Sequence, residues 1–402
     1  MFHYLKYLLK ALKNAFKSKY KWMLILFVLW LYRVDFISAD GGGLAKGLQV
    51  ITIFGMLGLV LKYRSGMVRT AYNNTNSAVK SLLWLYSFAV ISTLWAYVPT
   101  FAFFLSFQNI VLVFVLLWLY SLPGNFNSTE KAFLTGAVLI VVFEVVTERI
   151  LNGARIFIHF LNGASTAALL ISYCMAEMLN MKRQDTKRRK FLKNTLLISL
   201  VVLITSTSSG ANASAIFGFA MALLFSKKIW YAIPLFAFAA FLYLNPDMVE
   251  SLILMVMPGK SAETLSSASG RSDLWDILLV LAAQKPIFGW GYACIERAVT
   301  STGFMASDAH NNYLGIYGGL GVVGCILLGV QFLTTLFTTF NRKASRGYLG
   351  LFCATCCAIL NGYSYGFLSG KACSITVVYF SIVVLSFVYV KTYRYDKQNI
   401  KR

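Results

Sequence analysis

His310-Asn311-Asn312-Tyr313-Leu314-Gly315-Ile316-Tyr317-Gly318-Gly319-Leu320-Gly321-Val322-Val323-Gly324 decides how this chain is read. A polar loop ends at His310, and an apolar, glycine-notched helix begins. The surrounding composition says what solvent that helix meets. Of 402 residues, 58% are hydrophobic and 13% charged, with a mean hydropathy of +0.66. A soluble protein of this length cannot hide so much apolar surface, so most of the chain faces lipid. His310 then stands at a membrane boundary. The chain has three histidines, and a titratable imidazole at such a boundary is a candidate catalytic group.

Apolar runs long enough to cross a bilayer begin near Trp22, Gly47, Ser81, Phe101, Ala132, Phe160, Leu196, Ala211, Ile229, Tyr313, Gly347 and Cys373. The expectation is an all-α integral membrane protein of about twelve transmembrane helices. The formal charge of +22 excludes little by itself, since a basic chain can bind nucleic acid or sit in a membrane. Here Lys and Arg gather in alternate short gaps, among them Lys182 to Lys193 and Arg342 to Arg346. This is a topology signal, not a nucleic-acid surface. It places both termini in the cytoplasm. The organisation expected is a basic amphipathic interfacial helix at 1–21, transmembrane helices 1–9 over 22–244 and an extracytoplasmic loop at 245–312. Transmembrane helices 10–12 follow over 313–391, then a basic tail at 392–402. The first span reads as uncleaved. The large loop carries short helices, one at Met248–Met257 and an amphipathic one at Ser272–Gln284. Long ordered loops concentrate function.

Seven cysteines, an odd number lying mostly inside apolar runs, argue against a disulfide framework. Cys353-Ala354-Thr355-Cys356-Cys357 reads as small packing residues of a membrane helix. For His310 the plain reading is an interfacial histidine bonded to a backbone carbonyl. The functional one is a general base that takes the proton of an attacking hydroxyl. Metal binding by Asp308 and His310 lacks further ligands, and no Asp-x-Asp pair occurs. Gly315, Gly318, Gly321 and Gly324 recur every third residue as structural notches, which let another helix or a lipid chain approach the backbone. Arg271 opens the second loop helix, upstream of Pro286-Ile287-Phe288-Gly289-Trp290-Gly291. On position alone it reads as paired with Asp273 or Asp276, or solvated.

His-Asn, a spacer and Gly-x-x-Gly, as in His310-Asn311 and Gly321–Gly324, resemble the signature of the O-antigen ligase and O-antigen polymerase family. The Arg271 segment with Gly289-Trp290-Gly291 resembles that family's extracytoplasmic loop. Arg155 to Asn162 resembles its Arg…Asn block, and Ser92-Thr93-Leu94-Trp95-Ala96-Tyr97-Val98-Pro99 its Ser-x-x-Trp…Pro block. The resemblance implies a metal-independent, inverting glycosyltransferase of the bacterial inner membrane, without cofactor. Its donor would be a glycan on undecaprenyl diphosphate. His310 would be the base, Arg271 would hold the diphosphate, and Arg155, Asn162 and Asn311 would contact substrate. Arg155 reads equally as a snorkelling residue, and Trp95 as an interfacial anchor. One departure stands out: the turn Ser206–Ser214 carries no Arg where the family's ligases have one. That tilts the reading from ligase, with lipid A core as acceptor, toward a polymerase of O-antigen or capsule repeat units, whose acceptor rides on a lipid carrier. A chain-length regulator is then a candidate partner. A flippase or transporter for lipid-linked sugars would share the span count, but it more typically buries charge in mid-span and shows repeats.

Overall fold

The structure is a computed structural model. It describes residues 21–32, 43–151, 161–181, 185–206, 208–226, 230, 233, 271–303 and 309–400. Among these the fold is all helical. The helices are α1 (Lys21–Tyr32), α2 (Gly43–Asn74), α3 (Ser77–Ile91), α4 (Pro99–Ser121), α5 (Phe126–Leu151), α6 (Leu161–Asn180) and α7 (Thr186–Ile204). Then come α8 (Ser209–Phe225), α9 (Ser272–Gln284), α10 (Ile295–Thr300), α11 (Asn312–Phe340), α12 (Tyr348–Asn361) and α13 (Ser374–Ile400). A helix thus lies at each expected span start except that near Ile229, which falls outside the described residues. So do the N-terminal amphipathic segment at 1–20, Met248–Met257 and Arg155. α9 has the bounds expected for the second loop helix.

Five described stretches are long and apolar enough to cross a membrane: Gly47–Val68, Ser77–Trp95, Pro99–Ser121, Asn312–Phe340 and Ser374–Thr392. Shorter apolar helices lie at Lys21–Leu31, Ser209–Phe225 and Tyr348–Asn361. Local chemistry explains several starts. The Asn76 side chain accepts from Val79 N at 3.1 Å and caps α3, and Pro99 occupies the first turn of α4, where its missing N–H costs nothing.

The centre of the bundle is α6, which packs on α7, α8 and α12, while α13 lies against α4, α5, α6 and α12. Three charges knit this centre together. Arg188, read from sequence as one of a run of loop cations, is 7% exposed. Its Nε donates to Glu130 Oε2 at 2.6 Å, and its Nη2 to both Glu130 Oε1 and Glu177 Oε2. Glu177 also accepts from the backbone N–H of Gly347 at 2.8 Å and of Gly350 at 2.9 Å. Tyr173 donates its hydroxyl to Glu130 at 2.7 Å. The planar guanidinium serves two carboxylates at once, which a point-charge ammonium could not do. The network ties α5, α6, α7 and α12 together.

All seven cysteines are free of disulfides. Cys353, Cys356 and Cys357 are buried in α12, as packing residues should be.

Candidate functional site

The glycine-notched helix is broken. At Gly321 the backbone turns to φ 66°, ψ −162° inside α11, so the hydrogen-bond ladder stops for a turn. The segment after α9 fills the gap. Trp290 N donates to Gly318 O at 2.9 Å and Gly291 N to Gly319 O at 2.8 Å, while Val322 N donates to Pro286 O at 2.8 Å. Inside lipid, irregular backbone survives only where protein supplies such partners. The partner approaching these glycines is a loop, where the sequence suggested another helix. Glycine is required because the two backbones touch: a Cβ at Gly289 would lie 2.4 Å from Gly319 C, and one at Gly321 would lie 2.2 Å from Ile287 O. Gly315 lies against Ser369 and Gly318 against Ile295, whereas the nearest neighbours of Gly324, Leu320 and Ile316, belong to its own helix.

One consequence is measurable. Gly289 has φ +68° and its Cβ position is filled by backbone. Gly289→Ala is expected to lose at least about 1–2 kcal/mol from left-handed strain alone, and to lift the loop off α11. Gly329→Ala, in α11 with nothing within 4 Å, is expected to be neutral or slightly stabilising. Thermal unfolding midpoints of the purified proteins compare them; equal midpoints would refute the docking argument.

The Ser92–Pro99 turn closes over the same loop. Trp95 Nε1 donates to Phe288 O at 3.0 Å, and Tyr97 N donates to Trp290 O at 2.8 Å. Ser92 Oγ accepts from Tyr292 N at 3.0 Å. Trp95, read as an interfacial anchor, is therefore also a clasp on the loop. Cys294 follows directly; burial pushes its thiol up, which makes it a poor nucleophile.

His310 stands at the head of α11. Its backbone is left-handed, φ 51°, a conformation that His, Asn and Asp tolerate better than most residues. Its neighbours are pinned on both sides. Trp275 Nε1 from α9 donates to Ala309 O at 3.0 Å. The Asn311 side chain caps α11, accepting from Tyr313 N at 2.9 Å and Leu314 N at 3.1 Å. Asn312 N donates to Gly362 O at 2.7 Å, and Asn312 Oδ1 accepts from Leu368 N at 2.7 Å. His310 Nδ1 is itself buried.

Arg271 occupies the capping position of α9 and is half-buried. Its Nη1 donates to Ser364 O at 2.8 Å. Asn162, at the start of α6, accepts from the Tyr365 hydroxyl. Of the stretch expected as a Ser206–Ser214 turn, Ser209–Ser214 form the start of α8 and reach the same segment, with Gly210 against Ser364 and Asn361 Nδ2 donating to Ser214 Oγ at 3.0 Å.

The meeting point is the segment 361–369, which sequence reasoning missed. The span beginning near Gly347 was expected to run to a gap at Ser369–Lys371. In fact α12 stops at Asn361. The carbonyls of Gly362 and Ser364 and the N–H of Leu368 bond to Asn312, Arg271 and Asn312 respectively, in place of a helical ladder. Asn361-Gly362 and Gly366, with three hydroxyl side chains between them, were the available signal.

Among the described residues, no three His, Cys, Asp or Glu side chains gather as a metal site. Residues 194–329 match the O-antigen ligase family. The resemblance read from the motifs is to that family of ligases and polymerases, and the match spans Arg271, His310, Asn311 and the four glycines. Asn162, its partner Tyr365 and the Ser92–Pro99 turn lie outside the match; the turn joins it directly through Phe288, Trp290 and Tyr292. No curated protein matches the chain. The match covers about a third of the chain and is to the family that the motifs resemble, and the described residues supply five helices long and apolar enough to cross a membrane.

Proposed function

We propose that the chain transfers an oligo- or polysaccharide from undecaprenyl diphosphate to an acceptor sugar hydroxyl at the outer face of the bacterial inner membrane. His310 takes the acceptor proton as the oxygen attacks the anomeric carbon. The bond to the diphosphate oxygen breaks, and Arg271 meets the charge that gathers there. In-line displacement inverts the anomeric centre. No Asp-x-Asp pair marks a metal-held diphosphate in the sequence, so the guanidinium is assigned that work without a metal. Asn162, Asn311 and Arg155 are assigned to substrate contact. The observation that carries the reading is the shared segment 361–369: it holds Arg271 through Ser364 and the His310 helix through Asn312.

Polymerisation of O-antigen or capsule repeat units is preferred over ligation to lipid A core. The stretch Ser206–Ser214 carries no second cation, and its Gly210 lies against Ser364, whose carbonyl accepts from Arg271. A transporter of lipid-linked sugars is the contrasting class, and release of diphosphate-linked carrier from purified donor separates the two.

Arg271 is the sharper test. If it forks onto the diphosphate, Arg271→Lys and Arg271→Ala are both expected to lose transfer, because Lys lacks the planar two-point geometry. A fully active Arg271→Ala at equal expression would end the assignment. Orientation has its own check. Both termini inside and 245–312 outside require that a cysteine placed at Ser267 is labelled by an impermeant reagent from outside and one at Thr186 is not. The reverse pattern would put the site on the wrong face.

A further inference from the structure

The far end of the bundle holds a cavity unconnected with His310. α13 leaves the 361–369 segment near Ser374, and at 1.5 Å per residue Lys391 lies roughly 25 Å away along it. There α2, α4 and α13 border a half-open cavity of about 870 Å³, within the range of small-ligand sites. Leu117, Phe387 and Val388 form an apolar wall. Arg64, Lys391 and Asn74 bring polar groups to the same space. Among the described residues lining it, none is Asp or Glu. The cavity is therefore cationic on one side and greasy on the other.

Its depth is also informative. Arg64 lies near the end of the span Gly47–Val68, and Lys391 near the end of Ser374–Thr392. α2 is interrupted at Arg64 itself, where φ is −146° and ψ 36°, which opens the bundle at the level where lipid headgroups lie. A cation pair at headgroup depth, above an apolar wall, matches a phosphodiester with the first carbons of its acyl chains. Free phosphate would satisfy the cations and leave the wall unfilled.

We propose that this cavity binds the headgroup of an anionic membrane phospholipid, with Arg64 and Lys391 on the phosphate. The inference does not depend on the transfer chemistry. Its test uses the full-length protein, delipidated in detergent. Bound lipid is counted by native mass spectrometry after titration with phosphatidylglycerol or phosphatidylethanolamine, with inorganic phosphate as a third arm. Wild type is expected to retain phosphatidylglycerol over phosphatidylethanolamine. The double variant Arg64→Ala/Lys391→Ala should lower that retention about tenfold or more, on the scale of two surface cations against an anionic leaflet. The charge-keeping pair Arg64→Lys/Lys391→Arg should retain it, which separates lost binding from lost folding. Lys80→Ala/Lys193→Ala, at basic positions elsewhere, should leave it unchanged. Equal retention of the two lipids by wild type overturns the proposal, and so does undiminished retention in the double-alanine protein. An equal loss in the control pair, or complete displacement by millimolar inorganic phosphate, overturns it as well.

Discussion

Cells carrying His310→Ala are expected to insert the protein at normal levels and to make essentially no glycan product. General-base catalysis contributes about two to four orders of magnitude in rate, so residual transfer should fall to about 1% or below. Alanine also meets a left-handed backbone here, φ 51°, and that strain alone costs roughly 1–2 kcal/mol. Loss of product in the alanine protein could thus be mistaken for loss of fold. His310→Asn answers this, since Asn tolerates the conformation and has no basic nitrogen. Both variants should lose transfer, and His310→Asn should keep the unfolding midpoint of the parent. Near-normal polymer from either variant at equal expression would remove His310 from the chemistry.

The second large effect is on stability. Arg188→Ala leaves Glu130 and Glu177 facing each other in a buried site, 3% and 2% exposed, with no cation between them. Breaking a buried pair by removing one partner typically costs about 3–5 kcal/mol. Here one guanidinium serves two carboxylates, so the upper part of that range is expected. Arg188→Lys should recover only part of it, having no fork to reach both. The Arg346–Asp185 pair, at 3.4 Å and with Arg346 53% exposed, is the internal contrast: Arg346→Ala should cost no more than about 1 kcal/mol. Thermal unfolding in detergent ranks the three. Similar midpoints for Arg188→Ala and Arg346→Ala would mean that the network does not hold the bundle centre.

Much of the architecture was legible because apolar run length and helix caps are local signals. Ser272–Gln284 was readable to the residue, with Arg271 and Asp273 at its head and Lys285-Pro286 at its end. Asn311 was read as a substrate contact, and its role as the cap of α11 came only with the structure. What escaped depends on partners far apart in the chain. Arg188 sits among Lys187, Arg189 and Lys190, and nothing local marks it as the one that turns inward to Glu130. Gly321 reads like Gly315 and Gly318, and only the returning backbone of Ile287 distinguishes it. α12 was expected to be longer because Tyr363, Tyr365 and Phe367 are apolar enough to continue a span. The chain leaves the helix there because Arg271 and Asn312 bond to its backbone, and both belong to other parts of the sequence. Of the candidate site, single residues could be named from motifs, but their common support at 361–369 could not.

The break at Gly321 bears on how the protein is made. The loop at 286–291 leaves the ribosome before the helix it completes. In the broken form, a turn of α11 has its peptide groups completed by that loop, and each such group left open would cost several kcal/mol in hydrocarbon. The break at Gly321 and the docking of the preceding loop are therefore coupled: one geometry is stable in lipid only with the other, and the head of the helix, with His310, is set by both.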